Sequence, residues 1–129
     1  MSYNKELDFF LFTDNELKSE YDNFHVIHMS FDEIVTLIKE KMDCKIKLKS
    51  PYKLCDFKPA YGLIFEDYIK DYDYWAHSDP DLIFGNIYKF IKKTAEEGYD
   101  RIFNRGHLSF YKNDDKMNHL FMQSSKKLV

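Results

Sequence analysis

The residues best suited to chemistry begin with Asp79-Pro80-Asp81. Two carboxylates one residue apart, at the C-terminal end of a strand, can both reach one divalent cation. Hard oxygen ligands suit Mn²⁺ or Mg²⁺, and such ions commonly hold phosphates as well. Pro80 stiffens the spacing by fixing its own φ. The triplet is short, and 14 aspartates among 129 residues yield roughly one and a half such matches by chance. Asp71-Tyr72-Asp73 is the second instance and reads as a solvated turn ahead of a strand. Position separates the two. Asp79 and Asp81 lie between Tyr74-Trp75-Ala76-His77 and Leu82-Ile83-Phe84-Gly85, where an uncompensated carboxylate pair is costly and a cation removes the cost. The plainer alternative is a surface turn. His77, in a strand, points away from its immediate neighbours and reads as a core or boundary histidine rather than a ligand.

Cys55-Asp56-Phe57-Lys58-Pro59 is the second constellation. It reads as the opening of a helix, with Asp56 as N-cap and Lys58 adding charge where backbone N–H groups already favour anions. Asp56 can then contact a ribose or base, and Lys58 a phosphate. Asn104-Arg105-Gly106-His107 is the third. A turn carrying an amide, a guanidinium and an imidazole can bind sugar hydroxyls and phosphate, or supply a third metal ligand. Its plainer reading is a polar hairpin in which Gly106 supplies a positive φ. His25, His28 and His119 show no partner pattern and read as structural. The sequence contains no nucleophile elbow, Walker loop, paired-cysteine site or His-Glu-x-x-His helix.

The elements that must position these residues follow from apolar periodicity. Asp8-Phe9-Phe10-Leu11-Phe12-Thr13 reads as a buried strand closed by Asp14-Asn15, and residues 24–28 as a second strand. Ser30-Phe31-Asp32-Glu33 fits a capping box, and helical spacing of Phe31, Ile34, Val35, Ile38 and Met42 predicts a helix over 31–43. Residues 44–50 alternate Lys with apolar residues, as a strand or an extended loop. Pro51 and Pro59 forbid one long helix between them. Tyr61, Ile64, Phe65, Tyr68 and Ile69 predict a second helix, in which Gly62 marks close packing. Residues 72–77 form a third strand, Ile87 to Thr94 a third helix ended by Gly98, 101–103 and 108–111 a hairpin, and 118–122 a last short helix. Asp114-Asp115 reads as a turn. Strands alternating with helices predict one α/β domain over residues 1–129 with a mixed sheet.

Composition narrows the function classes. A chain of 129 residues suits one domain with a real core. The aromatic share is 18%, and only 4 Gly and 3 Pro are present, so low complexity and linkers are excluded. Lys and Arg total 19 against 22 acidic residues, a net charge of −3 without a basic tail, which argues against nucleic acid as a partner. Cys44 and Cys55 make neither a disulfide framework nor a zinc site, and read as reduced, partly buried thiols of a cytoplasmic protein. No apolar run approaches a transmembrane segment.

Three ordered blocks resemble a known family. They are Pro51-Tyr52-Lys53-Leu54-Cys55-Asp56-Phe57-Lys58-Pro59-Ala60-Tyr61-Gly62, then Trp75 through Asp79 and Asp81 to Gly85, then Gly106-His107-Leu108-Ser109-Phe110-Tyr111-Lys112-Asn113. Together they resemble bacterial glycosyltransferase-like proteins encoded among polysaccharide and capsule genes. The resemblance implies a GT-A-like, Rossmann-like fold that uses a nucleotide-sugar donor and a saccharide acceptor. It implies Asp79 and Asp81 as the Mn²⁺ or Mg²⁺ pair, Asp56 and Lys58 as nucleotide contacts, and Asn104, Arg105 and His107 near the donor sugar or acceptor. It implies a cytoplasmic location, free or peripheral at the inner membrane face. GT-A domains begin with a strand and loop that hold the base, ahead of the position of Met1, and continue further at the C-terminus. The expectation is therefore a domain shortened at both ends, whose exposed edges favour a homo-oligomer. Two alternatives stand beside it: a truncated, non-catalytic binding remnant, and a Mg²⁺-dependent phosphatase with Asp79 as nucleophile and Asp81 as acid/base.

Overall fold

A computed structural model describes residues 3–123. The fold is mixed α/β, with two small sheets and several short helices. Strands β1 (Phe9–Thr13) and β2 (Phe24–His28) pair in parallel, Phe9 opposite Phe24 and Thr13 opposite His28. Strands β3 (Tyr74–Ser78), β4 (Arg101–Arg105) and β5 (Leu108–Lys112) form an antiparallel sheet in the order β3-β5-β4. The single mixed sheet expected from the sequence is thus two sheets, one purely parallel and one purely antiparallel. Side chains link them. Tyr72 donates its hydroxyl to Asp8 at 2.8 Å. Phe12 stacks on Phe65 with ring centroids 4.2 Å apart and meets Tyr68 edge-on.

Helix α1 (Phe31–Met42) begins as its sequence predicts. Ser30 Oγ accepts from the Glu33 N–H at 3.2 Å, and the Glu33 carboxylate accepts from the Ser30 N–H at 2.7 Å. Ile34 and Ile38 bury its inner face against Ala60 and Ile64. Residues 45–49 take the extended-loop option and join no strand.

The chain then enters a 3₁₀ helix, Pro51–Ala60, with Pro51 in its first turn. The expected 61–69 helix follows in two pieces, α2 (Tyr61–Ile64) and α3 (Glu66–Ile69). They break at Phe65, whose ring is seated against Phe12 and Tyr61. Gly62 is a requirement of packing. A Cβ there would lie 2.5 Å from Trp75 Cε2 and 2.6 Å from Asn118 Oδ1.

The antiparallel sheet is covered on both faces. Trp75 and His77 of β3 share one face with Tyr111 of β5, and Trp75 stacks on Tyr111 at 4.4 Å. Tyr61 and Met117 pack there. Phe110 and Ile102 occupy the other face, against Ile91 of helix α4 (Tyr88–Glu96). Gly98, with φ of 76°, turns the chain just past α4. Helix α5 (Asp115–Asn118) starts earlier than the expected 118–122 helix because Asp114 is its N-cap: Asp114 Oδ1 accepts from the Met117 N–H at 2.8 Å. A 3₁₀ turn, Leu120–Met122, follows.

Asn4 fastens the start of the chain. Its side chain is buried, donates to Gly85 O at 2.8 Å and accepts from the Tyr88 N–H at 3.1 Å. Both cysteines are exposed, which corrects the partly buried reading; each sits in or beside the surface segment 44–56. Among the described residues no helix is long and apolar enough to cross a membrane.

Candidate functional site

The candidate site lies at the C-terminal end of β3. Strand alternation puts Trp75, His77 and Asp79 on one side of the sheet. The β3–β5 ladder runs one step past the strand: the Asp79 N–H donates to His107 O at 3.1 Å. Asp79 also opens a turn, in which the Leu82 N–H reaches Asp79 O at 3.4 Å and Pro80 holds the second position. Its carboxylate is therefore aimed by two backbone constraints.

Both oxygens of that carboxylate are engaged. Lys58 Nζ pairs with Oδ1, and His107 Nδ1 lies 2.9 Å from Oδ2. The Lys58 hydrogen bond, and then that of His107, hold the Asp79 carboxyl below the usual carboxylate range. An ionised Asp79 can only accept, so Nδ1 of His107 carries the proton. Exposure grades across the trio: 18% for the Lys58 side chain, 28% for Asp79 and 78% for His107. A mostly covered lysine side chain thus meets an open histidine across one carboxylate.

His77 stands two residues before Asp79 on the same side of β3, within reach of the Lys58 charge. It is buried, and its Nε2 lies 3.4 Å from the Tyr111 hydroxyl. Burial, and then the nearby Lys58 charge, push the imidazole down to about 4, so it is neutral at pH 7. Its Nδ1 has no hydrogen-bond partner among the described residues. Sequence reasoning set His77 apart as a core histidine, and it is one. The period-2 pattern that places it on the same side as Asp79 was the available signal for its nearness to the site.

Three of the sequence-predicted residues, Lys58, Asp79 and His107, come together. Asp81 occupies the same turn but is exposed and has no partner among the described side chains. Asp56 is not an N-cap. The 3₁₀ helix already begins at Pro51, so Asp56 falls in its middle, exposed, 3.6 Å from Lys53. Lys58 likewise sits late in that helix, and its place in the site comes from Asp79 rather than from a helix N-terminus. Asn104 and Arg105 end β4, but their side chains lie outside the described residues. The left-handed backbone near the hairpin is at Phe103, with φ of 59°, not at Gly106. Phe103 belongs to a β-bulge: residues 103 and 104 stand between the pairs Ile102–Phe110 and Arg105–Leu108. A bulky residue in that conformation costs about 1–2 kcal/mol. The bulge shifts the register of the hairpin that carries His107.

These features define a mixed α/β domain with a lysine–aspartate–histidine cluster at a strand end. The chain belongs to a family of unknown function, DUF6625, which it matches over residues 1–129. No curated protein and no solved structure matches it.

Proposed function

We propose that the chain is a GT-A-like glycosyltransferase, or a shortened relative of one, that takes a nucleotide-sugar donor and a saccharide acceptor in bacterial polysaccharide synthesis. One observation carries the reading. Lys58, Asp79 and His107 come from three separate motif blocks and meet on a single carboxylate. Ligands of α/β folds gather beyond strand C-termini, which is where this carboxylate stands.

Asp79 and Asp81 are carboxylates in one tight turn, the hard oxygen donors a divalent cation takes, with Lys58 and His107 on the two oxygens of Asp79. Bound there by Asp79 and Asp81, Mn²⁺ or Mg²⁺ would neutralise the charge developing on a departing nucleoside diphosphate. The chain's own groups do the rest. The Lys58 ammonium, at the end of a mostly covered side chain, binds phosphate oxygens. Asp79 stays ionised at neutral pH and fixes the His107 ring. His107, largely exposed beside Asp79, stands where a sugar hydroxyl can meet its ring. His77 stays neutral and adds no competing charge.

A non-catalytic relative is the second reading. It is favoured by the engagement of both Asp79 oxygens, and by the fact that no three His, Cys, Asp or Glu side chains gather as a metal site among the described residues. Calorimetric titration of UDP, GDP and CDP, with and without Mn²⁺, separates the two. The glycosyltransferase reading expects one nucleotide to bind only with metal, and Lys58→Ala to weaken it by ~1.5–3 kcal/mol, the scale of a charged hydrogen bond. Metal-independent binding that ignores Lys58→Ala would overturn it. Binding of no nucleotide would favour the non-catalytic relative, and phosphate release from a phosphomonoester would select the phosphatase.

A further inference from the structure

We propose that the start of α4, with the loop ahead of it, is a surface that docks on anionic lipid. The inference goes beyond the proposed function and does not depend on it. It starts from three apolar side chains that the core leaves outside. Ile83 is 100% exposed, and Tyr3 and Phe90 are each 72% exposed. A single exposed apolar side chain is ordinary. These three are gathered by one tether. The buried Asn4 side chain donates to Gly85 O and accepts from the Tyr88 N–H. Tyr3 adjoins Asn4, Ile83 stands two residues before Gly85, and Phe90 two residues after Tyr88. Two residues span at most about 7 Å, so all three surround the tether. The apolar stripe of α4 is already spent on the core, where Ile87, Tyr88 and Ala95 pack with the buried Ile91. Phe90 falls outside that stripe.

The charge beside them opposes that of the whole chain. The chain carries −3, yet from Leu82 to Ala95 it has three lysines and no carboxylate. Lys92 leans toward Glu96 at 4.0 Å. Lys89 and Lys93, one turn apart on α4, make no ion pair among the described residues, and neither does Lys5 beside Asn4. Glu6 and Asp81 flank the patch, and the next acid along the helix is Glu96, two turns past Lys89. Apolar tips among free lysines match the boundary between headgroups and acyl chains. The tips enter the apolar layer, the ammonium groups stay at the phosphates, and tyrosine suits the level between. A protein partner of fixed shape needs a matched pocket for each tip, whereas a bilayer needs none. Ile83 is four residues past Asp79, so lipid docked there brings headgroups within about 14 Å of the candidate site.

The test is vesicle binding by the full chain, read by sedimentation and by amide exchange. Vesicles of phosphatidylcholine alone are compared with vesicles in which about a third of the lipid is phosphatidylglycerol. Wild type is expected to bind the anionic vesicles about tenfold or more tightly than the neutral ones, and added salt should weaken that binding. On anionic vesicles, exchange should slow in residues 82–90 and stay unchanged in residues 51–60. Ile83→Ser with Phe90→Ser, and separately Lys89→Gln with Lys93→Gln, should each weaken binding about tenfold. Tyr52→Ser is the control. Tyr52 is 81% exposed, but its 3₁₀ helix packs on the core of Ile34 and Ile38 rather than on Ile91, so its loss should change nothing. A wild type that shows no preference for anionic vesicles overturns the proposal. So does protection confined to other segments, or a folded variant of either pair that binds as wild type does. A loss with Tyr52→Ser as large as with Ile83→Ser and Phe90→Ser also overturns it, because scattered apolar side chains then suffice. Self-association that the Ile83→Ser, Phe90→Ser chain loses, without vesicle binding, assigns the patch to a second copy instead. The exchange footprint needs no variant, so misfolding leaves the question decidable. Vesicle binding is measured without nucleotide, so its failure and that of the glycosyltransferase reading are told apart.

Discussion

The two sheets of this protein are built to different standards. In the antiparallel sheet, Trp75, His77, Ile102, Ser109, Phe110 and Tyr111 are buried, and helices cover both faces. In the parallel pair no residue of β1 or β2 reaches burial, although β1 reads Phe-Phe-Leu-Phe-Thr. An apolar run therefore does not guarantee a buried strand. Each of these two strands has one partner and one open edge, and their side chains are only half covered. The candidate site hangs from the better-packed sheet. Asp79 is aimed by a ladder whose neighbours are buried and packed, a requirement for holding charged groups at fixed spacing.

The largest effect expected from this contrast is at Trp75. Its ring is buried, stacks on Tyr111, and donates its indole N–H to Asn118 Oδ1 at 2.7 Å. Trp75→Ala should cost ~3–5 kcal/mol in urea unfolding, as large-to-small core changes do. Leu11→Ala in β1, half-buried, should cost about 1–2 kcal/mol, below the ~2–5 kcal/mol of a fully buried leucine. Amide exchange should follow the same order, with His77 and Phe110 slower than Leu11 and Val26. Equal costs and equal exchange would erase the distinction between the sheets.

Gly62→Ala sharpens the comparison from the other side. The added methyl carbon would meet Trp75 and Asn118 at 2.5–2.6 Å, inside any tolerable contact. Overpacking of this kind should cost about 1–3 kcal/mol and shift the Trp75 fluorescence. An unchanged urea midpoint would show that Trp75 and Asn118 give way easily, and that the sheet is looser than its burial implies.

Much of this architecture was legible in the sequence. The α1 capping box, the strands expected at 72–77, 101–103 and 108–111 and found at 74–78, 101–105 and 108–112, the stop at Gly98 and the tight contact at Gly62 all follow from local rules. What escaped was non-local. The break at Phe65 depends on Phe12, more than fifty residues earlier, so no periodicity within 61–69 reveals it. Asp56 looked like an N-cap because the helix start was set by Pro59; Pro51 begins a 3₁₀ helix instead, and a short-range pattern does not distinguish the two. Asn4 carries no sequence signal, since its partners are the backbone of Gly85 and Tyr88. The site was half legible. Residue types and motif spacing picked out Lys58, Asp79 and His107, but their convergence on one carboxylate is a product of chain packing. Asp81 shares the motif and is left in solvent, which the triplet alone does not foretell.

The smallest expected effect lies where the two regions meet. Asp8 precedes β1; its Oδ1 lies 2.9 Å from His25 Nε2, and its Oδ2 accepts from the Tyr72 hydroxyl at 2.8 Å. One carboxylate thus ties β1 to β2 and to the segment entering β3. The His25 hydrogen bond, and then that of Tyr72, hold the Asp8 carboxyl below its ordinary value, while burial and Asp8 push Tyr72 up to about 12. The sign follows from linkage. A carboxyl with a lowered folded-state pKa contributes stability above its unfolded value, and that contribution is lost as pH falls through the folded value. Asp8→Asn should therefore cost only about 0.2–1 kcal/mol at pH 7, because the pair is partly exposed and screened. The gap between wild type and variant should narrow below about pH 4, where the unfolded carboxyl begins to protonate. The measurement is urea unfolding of both proteins from pH 7 down to pH 3. A gap that stays constant with pH would mean that Asp8 acts through shape rather than charge. A gap above 2 kcal/mol at pH 7 would mean that the loosely packed pair of strands depends on this tie far more than its exposure suggests.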